Sequence, residues 1–181
     1  MEIILIRHGE SEHNAGLKED KDVPLTKRGI KQAEYVGKRL TKIKISKIYT
    51  SNLIRAKQTA QIISKSNKIT KIKYLDGLNE YPSRYLGRRW RWLFDKRLKL
   101  LKKLIKGISK DKEKNKTILI VAHGTTNRIL LGYFLKIPLK KQLLFFKQSN
   151  TGISVLHWSK LYQNWNLESM NDISHLPRSL K

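Results

Sequence analysis

Short apolar runs alternate along the chain with stretches whose apolar positions recur every three or four residues. Ile3-Ile4-Leu5-Ile6 is a continuous apolar run of strand length, as a strand covered on both faces shows. Residues 8–24 are polar and glycine-containing, which predicts a loop. Thr26 is placed to cap a helix over 27–41, with Ile30, Ala33, Tyr35, Val36 and Leu40 at helical spacing. A strand over 47–50 follows, then a helix turning Leu53, Ala56, Ala60 and Ile63 inward, then a short strand at 72–75. Residues 76–90 hold Gly77, Pro82 and Gly87 and read as loop. Over 91–108, Phe94, Leu98, Leu101, Leu104, Ile105 and Ile108 repeat at helical spacing among lysines, and 111–116 reads as a solvated turn. Thr117-Ile118-Leu119-Ile120-Val121-Ala122 is the clearest buried strand, running through His123-Gly124 into a helix over 127–135. Residues 152–158 alternate like a strand, with 161–167 as a hairpin partner, and from about 169 the chain reads as a tail.

Strands alternating with helices predict a three-layer α/β/α sandwich with a mainly parallel central sheet. No linker or repeat divides the 181 residues, so one domain over 1–181 is expected. Apolar residues at 39% and charged residues at 29% suit a soluble chain. No apolar stretch is long enough to span a bilayer. The N-terminus lacks the basic opening and small-residue end of a secretory signal, so the cytoplasm is the expected location. There is no cysteine, which excludes disulfides, thiolate nucleophiles and sulfur-ligated zinc.

With 39 Lys and Arg against 14 Asp and Glu, the net charge is +25. Such a field concentrates anions and suits a phosphorylated substrate, a nucleic acid or an acidic membrane. Most of the excess is lysine beside isoleucine and asparagine, which an AT-rich coding sequence also produces, so charge does not select among them.

Position is more selective. In sheets of this kind, function gathers beyond the carboxyl ends of strands. Arg7-His8-Gly9 ends the first strand, Thr50-Ser51 the second, with Arg55 soon after, and His123-Gly124 follows the strongest. Two histidines and two arginines suit phosphoryl transfer through a covalent intermediate. A neutral imidazole nitrogen is nucleophilic at pH 7, and a guanidinium fork matches two phosphate oxygens.

The run from Leu5 to Asn14, with Arg7-His8-Gly9-Glu10 at its centre, resembles the signature of the histidine phosphatase superfamily, the phosphoglycerate mutase-like family. Further blocks follow in order: Pro24-Leu25-Thr26 with Gly29 and Gln32-Ala33, Thr50-Ser51-Asn52-Leu53 with Arg55-Ala56 and Gln58-Thr59-Ala60, Leu78-Asn79-Glu80, Val121-Ala122-His123-Gly124 and Asn150-Thr151. Together they cover about residues 2–158. The resemblance implies a phosphoglycerate mutase-like fold and a metal-independent phosphomonoesterase without cofactor, acting on a small phosphorylated substrate. It implies His8 as the phosphorylated nucleophile. Arg7, Arg55 and His123 would bind the phosphoryl group, with Asn14 and the backbone of Gly124 as additional donors. Glu80 would protonate the leaving oxygen and then activate water.

The text after Glu80 departs from the family pattern. Tyr81-Pro82-Ser83-Arg84-Tyr85-Leu86-Gly87 intervenes before Arg88-Arg89-Trp90-Arg91-Trp92, and Glu10 and Glu12 are rivals for the acid role. Arg88–Trp92 interleaves cations and aromatics as single-stranded nucleic-acid binders do, though packing against the fold accounts for it too. Mutase-type phosphoryl transfer and a non-catalytic module binding phosphate or nucleic acid are the alternatives to a phosphatase.

Overall fold

A computed structural model describes residues 1–20, 22–81, 88–110, 115–138, 141–142 and 146–181, with 88–95 described by their backbone alone. The strands are β1 (Glu2–Arg7), β2 (Ile45–Thr50), β3 (Ile72–Tyr74), β4 (Thr117–Ala122), β5 (Ile153–Ser159) and β6 (Asn164–Asp172). The helices are α1 (Lys27–Leu40), α2 (Ile54–Asn67), α3 (Arg88–Ser109) and α4 (Gly124–Phe134), with a short 3-10 turn at Asp76–Leu78. The six strands form one sheet in the order β3-β2-β4-β1-β5-β6. The first four run parallel; β5 is antiparallel to β1, and β6 to β5.

The continuous apolar runs become the central strands because both faces of the sheet are covered. Ile4, Ile6, Leu119 and Val121 face α1 and α2, where Val36, Leu40, Ala60 and Ile63 meet them. Ile3, Leu5, Ile118 and Ile120 face the other way, against Leu101, Ile105 and Ile108 of α3 and Ile129, Leu130 and Phe134 of α4. Two cores on two faces make the three-layer sandwich.

The Thr26 side chain accepts the backbone N–H of Gly29, capping α1 as its sequence predicts. The buried face of α1 differs from the apolar stripe. Ile30 and Tyr35 are exposed, whereas Gly29, Gln32 and Gly37 are buried beside Ala33, Val36 and Leu40. Close approach of backbones, not apolar volume, selects that face. A Cβ on Gly29 would run into the backbone of Glu10, and one on Gly37 would press on Ser66.

Several boundaries also move. α4 begins at Gly124, three residues before the predicted start, because the helix grows directly from the end of β4 with His123 as N-cap. α3 begins at Arg88, three residues early, and its lysines 96, 99, 102, 103 and 106 are exposed. The expected tail from about 169 is corrected. β6 pairs with β5 as far as Asp172, and the residues beyond pack back with Leu176 buried. The Gln32 side chain donates to the Leu180 carbonyl, and Arg28 to that of Lys181. An edge strand covered on one face carries few apolar residues, and so it reads as tail. Residues 82–87 and most of the predicted turn, 111–114, lie outside the described residues, as do the side chains of Arg88–Trp92.

Candidate active site

Strand register decides which residues meet. Arg7 lies opposite Ala122 in the parallel β1–β4 pair, and the backbone N–H of His8 donates to the Ala122 carbonyl at 3.0 Å. His8 and His123 therefore leave adjacent strand ends together, with ring centroids 5.0 Å apart. On the other side of β4, Thr50 pairs with Val121, which sets Ser51 beside His123. The connection after β1 leads to one face of the sheet and that after β4 to the other. Such a divergence between neighbouring strands opens the crevice where ligands bind in open α/β sheets.

The loop carrying His8 is held from several directions. A Cβ on Gly9 would collide with the Gly29 carbonyl, so glycine at both positions lets the loop lie on the start of α1. Gly9 N–H donates to Thr59 Oγ1 at 3.1 Å and Glu10 N–H to Gln32 Oε1 at 2.8 Å. From the β5 side, Thr151 N–H donates to the Arg7 carbonyl at 3.0 Å and Asn150 Nδ2 to the His8 carbonyl at 2.9 Å.

His8 is buried with Nδ1 2.6 Å from the Gly9 carbonyl. A carbonyl only accepts, so Nδ1 carries the hydrogen and the lone pair is on Nε2. Arg55 Nε–H, from the first turn of α2, donates to that lone pair at 3.0 Å. Arg7 at the end of β1 gives one Nη1–H to the Gln148 carbonyl at 2.8 Å, while its buried Nε has no partner among the described residues. Burial foremost, then His123, Arg7 and Arg55 nearby, hold His8 well below the usual imidazole pKa. Burial, followed by Arg55, Arg7 and Arg97, does the same to His123. Both rings are thus neutral near pH 7.

Glu80 follows the 3-10 turn. Its Oε1 accepts the backbone N–H of Thr125, in the first turn of α4, at 3.1 Å. Its own carbonyl accepts from Arg97 of α3 at 2.6 Å. Burial raises the carboxyl above the ordinary glutamate value, against the opposing pull of Arg7, Arg55 and the Thr125 N–H. A raised carboxyl among arginines can hold a proton and give it up, as general acid–base work requires. The rival carboxylates are engaged elsewhere: Glu10 with Arg28 and the Thr26 hydroxyl, Glu12 with Lys18.

His8, Arg7, Arg55, His123 and Glu80 are thus brought together. Gly124 joins them as the first residue of α4, its Cβ direction facing the Arg7 guanidinium. Asn14 is exposed and bonded to Ser11, with no hydrogen bond to the cluster among the described residues. The sequence assigns no role to Ser51, Thr59 and Thr125, which bond to the cluster and its loop directly, or to Asn79, which acts through Ser51. Ser51, Asn79 and Thr59 stand inside the family-like blocks, and that adjacency is the signal the sequence carries for them. Among the described residues no group of three or more His, Asp or Glu could hold a metal ion. None of the described helices is long and apolar enough to cross a membrane.

Sheet order and cover place the protein among mixed α/β sandwiches of the phosphoglycerate mutase-like fold. The chain belongs to the histidine phosphatase superfamily (branch 1), whose family model matches residues 3–91 and 94–173. It is 30% identical over 209 aligned positions to phosphoglycerate mutase-like protein 4 of Arabidopsis thaliana, covering 97% of this chain and 86% of that protein. A metal-independent phosphoserine phosphatase of the same plant is 26% identical, covering 97% and 83%. The crystal structure of phosphoserine phosphatase from Entamoeba histolytica with 3-phosphoglyceric acid superimposes with a TM-score of 0.73 at 28% identity, over 97% of this chain and 99% of that one. Several other curated relatives, among them fructose-2,6-bisphosphatase TIGAR of Xenopus tropicalis, are matched over about a third of their length or less.

Proposed function

We propose that the chain hydrolyses phosphate monoesters through a phosphohistidine on His8. The observation that carries this reading is the tautomer of His8: with Nδ1–H committed to the Gly9 carbonyl, the nucleophilic lone pair stands on Nε2 beside Arg55. Nε2 attacks phosphorus as the ester P–O bond breaks, and Glu80 gives its proton to the departing oxygen. Arg7, Arg55 and His123 hold the equatorial oxygens as charge spreads over them, with the Gly124 backbone as a further donor. Glu80, now a carboxylate, takes a proton from the water that attacks phosphohistidine, releasing phosphate and restoring His8. The charge of the transferred group is balanced by guanidinium groups, and no metal enters the scheme.

The substrate we expect is a small, multiply anionic phosphate ester in the cytoplasm. The phosphoserine phosphatases matched over nearly the whole chain put phosphoserine and 3-phosphoglycerate first in a substrate panel. The test is phosphate release from p-nitrophenyl phosphate and that panel without added metal. The wild type should turn over and leave an acid-labile phosphoenzyme on quenching, and His8→Ala should do neither. Equal rates in His8→Ala would overturn the assignment. Interconversion of phosphoglycerate isomers faster than phosphate release would make the protein a mutase instead.

A further inference from the structure

His123 is held by a hydrogen-bond chain whose direction can be read from its far end. Its Nε2 lies 2.8 Å from Ser51 Oγ, and both residues are fully buried. Ser51 Oγ lies 2.8 Å from Asn79 Oδ1, which also accepts the backbone N–H of Asn52 at 2.9 Å. That second bond marks Oδ1 as the oxygen of the Asn79 amide, and an amide oxygen only accepts. The single hydroxyl proton of Ser51 is therefore committed to Asn79. One lone pair of the hydroxyl accepts the Leu53 N–H at 3.1 Å, so towards His123 it offers only the other, and ring nitrogen Nε2 supplies the hydrogen. Neutral His123 is the Nε2–H tautomer, with its lone pair on Nδ1. That atom is buried and has no partner among the described residues. His8, one strand away, is held in the opposite tautomer by Gly9.

We propose that Ser51, oriented by Asn79, is a positioning residue that dedicates Nδ1 of His123 to receiving a proton from the incoming phosphate ester. The chemical meaning of this step rests on the phosphatase reading above. A phosphate monoester has a second pKa of about 6, so part of it arrives as a monoanion. The O–H bond of the monoanion breaks and an N–H bond forms on Nδ1, leaving a dianionic phosphate group beside an imidazolium that donates back to it. The charged and titratable groups around His123 are Arg7 and His8 at the end of β1, Arg55 on α2, Arg97 on α3 and Glu80 after the 3-10 turn, bonded to the start of α4. The three arginines favour the neutral ring until the anion arrives. The same chain joins the two proton-handling groups, since Asn79 precedes Glu80 and its carbonyl accepts from Thr126 of α4 at 3.1 Å.

The test is long-range ¹H–¹⁵N correlation of the imidazoles in the ¹⁵N-labelled full chain, with and without inorganic phosphate. In the wild type His123 should show the Nε2–H pattern and His8 the Nδ1–H pattern, and phosphate should turn His123 into the doubly protonated form. Ser51→Ala should bring His123 towards a mixture of tautomers, leave His8 unchanged and weaken phosphate inhibition about tenfold, converted from roughly one charge-assisted hydrogen bond. Ser51→Thr, which keeps the hydroxyl, should restore both readouts. An Nδ1–H pattern for wild-type His123, or an unaltered Nε2–H pattern in Ser51→Ala, would overturn the proposal. The wild-type spectrum decides even if Ser51→Ala does not fold. Opposite tautomers in a protein that turns over no ester would support the Ser51 assignment and overturn the phosphatase reading.

Discussion

Replacing Arg55 by lysine separates the guanidinium fork from its charge. Arg55 is 5% exposed and gives Nε–H to the His8 lone pair. That bond must break as the lone pair attacks phosphorus, so it contributes nothing to the transition state. What counts there is the fork, whose donors can hold two phosphoryl oxygens where an ammonium in the same space holds one. The variant loses about one hydrogen bond to a charged group, worth roughly 1.5–3 kcal/mol. At about 1.4 kcal/mol per decade this is a fall of roughly 10- to 150-fold in kcat/KM. Arg55→Ala, which removes charge and fork together, should fall by about 10³-fold or more. The assay is p-nitrophenyl phosphate turnover at fixed ionic strength, with thermal melting to show that each variant is folded. A lysine variant within threefold of wild type, alongside an inactive alanine variant, would refute the role of the fork and leave Arg55 as a bare charge.

The pH profile follows from two shifts of opposite sense. Activity should rise as His8 loses its proton, well below the usual 6.5, and fall as Glu80 loses the proton it must donate, above its ordinary value. Glu80→Gln should abolish the falling limb and slow alkyl esters by about 10²–10⁴-fold, with a smaller effect on phosphorylation by p-nitrophenyl phosphate, whose leaving group needs little protonation. An unchanged limb would exclude Glu80 as the acid. Gly29→Ala forces a methyl group into the Glu10 backbone and should cost about 1–3 kcal/mol, lowering the melting temperature and the activity together. A melting temperature equal to wild type would contradict that contact. His175, beside the Thr151 hydroxyl at 3.2 Å, is lowered to about 4 by burial. The unfolded chain protonates near 6.5, so stability present above that value should decline as pH falls towards 4. Urea midpoints should show a flatter decline in His175→Gln, and identical curves would dismiss the histidine as a contributor.

Different physical signals account for what the sequence reveals and what it hides. The bounds of β4 are legible because Thr117 leads five consecutive apolar residues, a run that fits a doubly covered strand. Thr26 announces the start of α1 through its own side chain. His8, Arg7, Arg55, His123 and Glu80 are legible because each sits in an ordered block. The Ser51–Asn79 chain is not legible, since its members lie 28 residues apart and meet only when β2 and the turn before Glu80 come together. The buried face of α1 is hidden for another reason: glycines chosen for closeness carry no apolar signal. The start of β6 is legible as the hairpin partner of β5, but its continuation to Asp172 is hidden because exposure on one side thins its pattern, and the register between the two strands shifts twice.

The clamps around His8 divide the active site into two kinds of ground. On one bank, backbone-to-backbone closeness and bonds from α1, α2 and the turn before β5 leave no room for a side chain at Gly9 or Gly29 without moving the nucleophile. On the other bank, Glu80 is fastened by a side-chain bond to α4 and a single arginine from α3. Attempts to redirect the protein to another ester should therefore diversify the α3 bank and leave the α1 bank alone, since changes on α3 leave the bonds that hold the reacting nitrogen in place.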